Sequence, residues 1–228
     1  MGLWAVIPVK ELDRAKERLA RLLLPEMRRG LMLAMLEDVL AALAATPALA
    51  GLLMVTVDPT AGRLGAKYGA RLVETGARDG HTGAVAAAAR LLADERRPGM
   101  LTLPGDIPVV TPGEIMRLVA AHLPAPSFTI VPSRDEQGSN AIICSPPDAV
   151  PLRFGEDSFF PHLQAAERCG IRPTVLHLPG IALDVDTPED LHAFTLLRSP
   201  TRAHALLAEN DMLAVQQRGA APTGGHWG

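Results

Sequence analysis

Cysteine is almost missing from this 228-residue chain, which holds only Cys144 and Cys169. Two thiols make neither a disulfide framework nor a Cys-rich metal site, and they suit a reducing compartment, so a cytoplasmic location is expected. Aromatic residues are scarce at 4%, with one Tyr and two Trp, which argues against a base-stacking platform for single-stranded nucleic acid. Neither sign of charge prevails: Lys+Arg is 22 and Asp+Glu is 25, a net charge of -3. That balance leaves no electrostatic footprint for nucleic acid as the main partner. No apolar run approaches the ~18–20 residues of a membrane span, so no membrane partner is expected. The opening MGLWAVIPVK has no basic lead-in and ends on Lys10, so it reads as a strand and not as a signal peptide.

What is present is apolar material, 48% of the chain, arranged in alternating short β-branched runs and Ala/Leu-rich stretches. Residues 3–9 read as a buried first strand. Residues 27–45 carry apolar side chains at helical spacing. Further strands are expected at 52–57, 71–74, 100–103, 128–131, 141–144 and 174–178. Helices are expected at 82–94, from Thr111-Pro112, at 158–169 and from Thr187-Pro188. This alternation predicts an α/β fold: a single Rossmann-like domain, a three-layer sandwich around a mostly parallel sheet. The body is assigned to 1–198. Residues 199–228 are expected to form a C-terminal helix over 200–213 and a frayed Gly/Pro-rich tail over 219–228. That helix is expected to pack on this or another subunit, and Leu206, Leu207 and Leu213 on it hint at a homodimer.

Ligands of open parallel sheets sit beyond the C-terminal strand ends. The residues there are Lys10 onward, Asp58, 104–108, 133–140 and 184–187. Asp106 follows a strand within Leu-Pro-Gly-Asp-Ile-Pro, where flanking prolines limit the directions its carboxylate can take. Asp184 and Asp186 are two apart, so an extended backbone puts both on one face and Val185 on the other. Three converging carboxylates repel one another unless a cation neutralises them, and Mg2+ is the usual hard cation beside phosphates. The same residues also have plainer readings. Asp186-Thr187-Pro188 resembles a helix N-cap, Asp184 a solvated loop acid and Asp106 a turn residue. Lys10, with Arg14, Lys16 and Arg18 after it, makes a basic loop suited to a triphosphate, or else a solvated basic face. No GxxxxGK[ST] and no GxGxxG after the first strand is present, which argues against P-loop and dinucleotide-binding proteins.

In order, the segments IPVK with Lys16 and Arg18, LPGDIP, QGSNAI, FGEDSFFPHLQAA and DVDTPEDL resemble the 2-phospho-L-lactate guanylyltransferase family. That family includes phosphoenolpyruvate and 3-phosphoglycerate guanylyltransferases of coenzyme F-420 biosynthesis. The resemblance spans about residues 4–195. It implies a nucleotide-diphospho-sugar transferase type of fold and transfer of GMP from GTP to a small phosphorylated carboxylic acid, with Mg2+. It also implies that Asp106, Asp184 and Asp186 hold the metal and that Lys10, Lys16 and Arg18 face the GTP phosphates. Ser139, where the family usually has Thr, would bind the acid together with Asn140, Gly155 and Ser158. His162 lies one helical turn further on and either reaches that pocket or is a half-buried helix residue. This chain has Gly80-His81-Thr82-Gly83 where the family often has Gly-Leu-Asn. Other readings of the same residues are transfer to a molybdopterin or sugar phosphate, a metal-dependent glycosyltransferase, or a non-catalytic nucleotide-binding module.

Overall fold

Strand β1 (Leu3–Pro8) dictates the layering. Ala5 and Ile7 pack into one core with Leu36, Val39 and Leu40, while Val6 between them packs with Ala84, Val85 and Ala88. Side chains alternate faces along a strand, so a strand apolar at every position must be covered on both sides. The computed structural model describes residues 2–155, 157–197 and 199–210. Its other strands are β2 (Leu49–Val55), β3 (Arg71–Val73), β4 (Met100–Thr102), β5 (Ser127–Pro132), β6 (Ser139–Ser145) and β7 (Thr174–Val175). Its helices are α1 (Pro25–Ala44), α2 (Pro59–Lys67), α3 (Gly80–Asp94), α4 (Pro112–Ala121), α5 (Phe159–Arg168), α6 (Pro179–Ala182), α7 (Pro188–Leu196) and α8 (Arg202–Glu209).

Among the described residues, the strands form one sheet in the order β3-β2-β1-β4-β6-β5-β7. β1 pairs parallel to both β2 and β4, and β6 is antiparallel to both β4 and β5. The α/β sandwich with a mostly parallel sheet is therefore as expected. The strand order reverses between β1 and β4, and a crevice opens at such a switch point. Because β6 runs the other way, its first residues, Ser139 and Asn140, arrive at the same edge as the last residues of β1 and β4.

Several boundaries differ from the sequence expectation. β2 begins at Leu49, not 52, because it pairs with β1 from Leu3 onward. α1 starts at Pro25, with proline in its first turn. β7 ends at Val175, short of the expected 178, since Leu178 already caps α6 at Pro179. Asp184 and Asp186 thus follow a one-turn helix and not a strand. The segment holding them is still extended in effect, as Val185 is fully buried between the two acids.

The expected C-terminal helix exists as α8 over Arg202–Glu209, while 211–213 and the tail at 219–228 lie outside the described residues. α8 packs on α1 of the same chain. Leu207 and Ala203 join Leu31, Met35, Leu191 and Phe194 in one core, with Leu206 packed against it. Asp38 on α1 accepts the backbone N–H groups of Arg202 (2.9 Å) and Ala203 (3.0 Å), capping α8 from a distance. The leucines read as a dimer hint, Leu206 and Leu207, therefore have intrachain partners; Leu213 lies outside the described residues.

Candidate active site

The loop after β1 is set by a carboxylate from the next crossover. Asp58 precedes Pro59 and is the N-cap of α2, where its Oδ1 accepts the N–H groups of Thr60 and Ala61. Its Oδ2 accepts the N–H of Leu12 at 3.0 Å, which ties the basic loop to the sheet. Burial works against the charge on Asp58. The three backbone donors outweigh burial and hold the carboxyl below its ordinary value.

Beyond that tether, two 3-10 turns, Leu12–Arg14 and Glu17–Leu19, carry the chain across the switch-point crevice. Lys16 between them has φ 55° and ψ 42°, a left-handed conformation that non-glycine residues seldom adopt. The result is a nearly buried ammonium. Lys16 Nζ donates to Asp106 Oδ2 and to Asp186 Oδ1, each at 2.5 Å. Burial would lower the Lys16 pKa, but the two carboxylates outweigh it and raise the value. For Asp186, burial is likewise overcome by Lys16, with Arg18 and Lys10 adding to the effect, and its pKa is lowered.

The loops bearing the acids are locked together. The Val185 N–H donates to the Asp106 carbonyl at 3.0 Å. N-capping of α7 falls to Thr187, in a reciprocal box with Asp190, so Asp186 is not its cap. Asp184 Oδ1 accepts from Asn140 Nδ2 at 2.9 Å. Burial pushes Asp184 up to about 6; the Asn140 amide opposes this, and Asp106 and Asp186 add to the rise. Asn140 is buried and its amide also donates to the carbonyls of Ile181 and Ala182. It therefore holds Asp184 in place, and it also lines the cavity where the resemblance implies the acid is bound.

The three acids share one cavity of about 750 Å3. Among the described residues, however, no three His, Cys, Asp or Glu side chains are gathered so as to hold a metal ion by themselves. Two features still fit a hard cation: Asp106 Oδ1 is buried without a hydrogen-bond partner, and Asp184 feels both neighbouring carboxylates. Mg2+ commonly takes one or two carboxylates and completes its shell with phosphate oxygens and water.

The crevice has two lobes. The first, of about 970 Å3, is lined by Lys10, Lys16, Gly80, His81, Gly105 and Asp106, among others. The second includes Arg18, Ser139, Asn140, Gly155, Ser158 and Asp184. Lys10, His81, Asp106 and Asp186 line both. The structure thus places Lys10 at the junction and Arg18 in the second lobe. Lys16 is engaged by the acids. Gly155 has φ 150°, open to glycine at little cost, and it lies shortly before α5, whose first N–H, that of Phe159, is taken by the Gln137 carbonyl.

Three further residues fasten the second lobe, and sequence reasoning assigned them no such role. Thr82 Oγ1 accepts from the Phe154 N–H (2.9 Å) and donates to the Phe154 carbonyl (3.3 Å). The His81 ring lies 4.3 Å from that of Phe154, and Phe154 meets His162 edge-on at 5.1 Å. The break in the family pattern at 80–83 hinted at His81 and Thr82, and Phe154 opens the FGEDSF segment.

An α/β sheet with acids and cations at its switch point suits a protein that binds a phosphorylated nucleotide there. The fold is similar to a crystal structure from Desulfovibrio desulfuricans G20 described as a nucleotide-diphospho-sugar transferase. Its TM-score is 0.73 at 20% identity, covering 95% of this chain and 98% of that one. The sequence narrows this further. Residues 3–220 match the family described as "Guanylyl transferase CofC like", and the chain belongs to that family. Relatives include the phosphoenolpyruvate guanylyltransferase of Rubrobacter xylanophilus, 40% identical over 84% of this chain and 92% of that protein. The 3-phospho-D-glycerate guanylyltransferase of Colwellia psychrerythraea is 35% identical over 86% and 92%. The protein is a nucleotidyltransferase, and no described helix is long and apolar enough to cross a membrane.

Proposed function

We propose that this protein transfers GMP from GTP to a small acid bearing one phosphate and one carboxylate, with release of diphosphate, in coenzyme F-420 biosynthesis. The acceptor is phosphoenolpyruvate, 3-phospho-D-glycerate or 2-phospho-L-lactate. The observation that carries the reading is the two-lobed crevice whose halves meet at Lys10, Asp106 and Asp186. The larger lobe takes the nucleotide, and the hydroxyl-lined lobe with Ser139, Gly155 and Ser158 takes the acid. The junction is then where the α-phosphate meets the acceptor.

An acceptor phosphate oxygen attacks the α-phosphorus, the bond to the bridging oxygen of the β-phosphate breaks, and diphosphate leaves. The attacking oxygen is already anionic, so no side chain has to remove a proton. Lys10, at the junction, offsets the charge that builds on the transferring phosphate, and Arg18, in the second lobe, offsets that of the acceptor. Lys16 holds Asp106 and Asp186 in place while keeping the junction from becoming too negative for phosphate. Asp106, Asp184 and Asp186 would hold Mg2+, which would supply further charge neutralisation.

The test is diphosphate release from GTP and Mg2+ with each of the three acids, with ATP and CTP as controls. Release with GTP and at least one acid, well above the controls, is expected. GTP binding without release on any acid would leave a non-catalytic nucleotide-binding module.

A further inference from the structure

We infer that His162 is a positioning residue that fixes the Ser139 hydroxyl as a hydrogen-bond donor aimed at the acceptor acid; this rests on the assignment of the acid to the second lobe. A proton count carries it. The Arg153 backbone N–H can only donate, and it reaches His162 Nε2 at 2.9 Å. That nitrogen is therefore bare, and in a neutral ring the proton is on Nδ1. The ring is buried, which lowers its pKa to about 4, with His81 adding to the effect. His162 Nδ1 is 2.9 Å from Ser139 Oγ, so Nδ1–H donates and the serine oxygen accepts. Ser158 Oγ is placed to donate to the same oxygen at 3.4 Å.

Both lone pairs of Ser139 Oγ are then turned toward the protein. Its own hydrogen is left for the cavity that Ser139 lines with Ser158, Gly138 and Gly155. An outward O–H suits an anionic oxygen, whereas an outward lone pair would repel one. The other tautomer would reverse the chain: Ser139 would donate to His162 and present only lone pairs to the acid. Phe154, edge-on to the imidazole, limits rotation of the ring. Seen this way, the histidine on α5 and the first residue of β6 form one donor unit, built from segments 23 residues apart.

Three substitutions separate the roles. Asn at 162 puts an amide N–H near the Nδ1 position, Gln keeps an acceptor for the Arg153 N–H, and Ser139→Ala removes the hydroxyl. Ser139→Ala and His162→Gln should each raise KM for the acid about tenfold, the scale of one hydrogen bond to a charged group, with KM for GTP unchanged. His162→Asn should stay within about threefold of the parent. The double variant Ser139→Ala/His162→Gln should be no worse than Ser139→Ala alone, since one acts through the other. If Ser139→Ala raises the acid KM but His162→Gln does not, or if their effects add, the inference fails and the acid lobe stands. If Ser139→Ala has no effect on the acid KM, the lobe assignment fails and takes the inference with it. Nitrogen-15 NMR of histidine-labelled parent protein reads the tautomer without any substitution. Protonated Nδ1 with bare Nε2 at residue 162 is expected, and the reverse overturns the inference.

Discussion

At the scale of single residues, the site separates acids that are paired from one that is not. Asp186 and Asp106 share the Lys16 ammonium, but Asp184 is met by the Asn140 amide and a backbone N–H, with two like-charged neighbours. Its folded pKa of about 6 lies above its ordinary value, so at neutral pH its charge costs the fold free energy. Asp184→Asn should therefore stabilise the protein, by on the order of 1–3 kcal/mol in urea unfolding, while slowing diphosphate release by ~100-fold or more. Asp106→Asn should slow turnover too but lower stability, because Lys16 loses one of its two carboxylates. Normal turnover in both folded variants would remove the acids from the reaction. The left-handed Lys16 was not legible beforehand. Nothing local marks it, because its partners lie 90 and 170 positions away.

At the scale of elements, periodicity predicted most strands and helices to within a few residues, while their ends answered to partners. β7 was overextended because apolar residues continue past Val175, yet a proline at 179 starts a helix instead. The partner of α8 was left open between this and another subunit for a related reason: an amphipathic helix shows an apolar face in sequence but not what covers it. Here α1 covers it. Leu207→Ala should cost about 2–5 kcal/mol in chemical unfolding, as for other enclosed leucines. At low temperature it should leave turnover near the parent level. A cost below ~0.5 kcal/mol would show that α8 does not belong to the core.

At the scale of the whole molecule, three histidines are held neutral. His81, His122 and His162 all have pKa values lowered to about 4, chiefly by burial. His122 sits far from the crevice, its ring hydrogen-bonded to Ser127, Thr129 and Ser145 at 2.8–2.9 Å. Between the ordinary value near 6.5 and about 4, the unfolded chain binds protons on these rings that the folded chain refuses. Their contribution to stability is full above 6.5 and is lost as pH falls toward 4. Asp184 acts in the opposite sense below about 6, and so does Asp38, whose carboxyl burial also raises, but the three rings outweigh them and leave the net effect destabilising. Melting temperature should therefore fall clearly from pH 7 to pH 5; a flat or rising profile would contradict the neutral rings. The overall architecture and the crevice edge were readable from alternation and strand-end acids. Its two-lobed shape was not, because that depends on β6 running against its neighbours.

The backbone bond from Val185 to Asp106 has a practical consequence for recombination between relatives. Residues 104–108 and 184–187 are stitched into one piece despite the long stretch of chain between them. A chimera that imports either segment alone pairs a foreign loop with a native one, whereas exchanging both preserves the seam. Crossover points for hybrid enzymes are best chosen outside that pair.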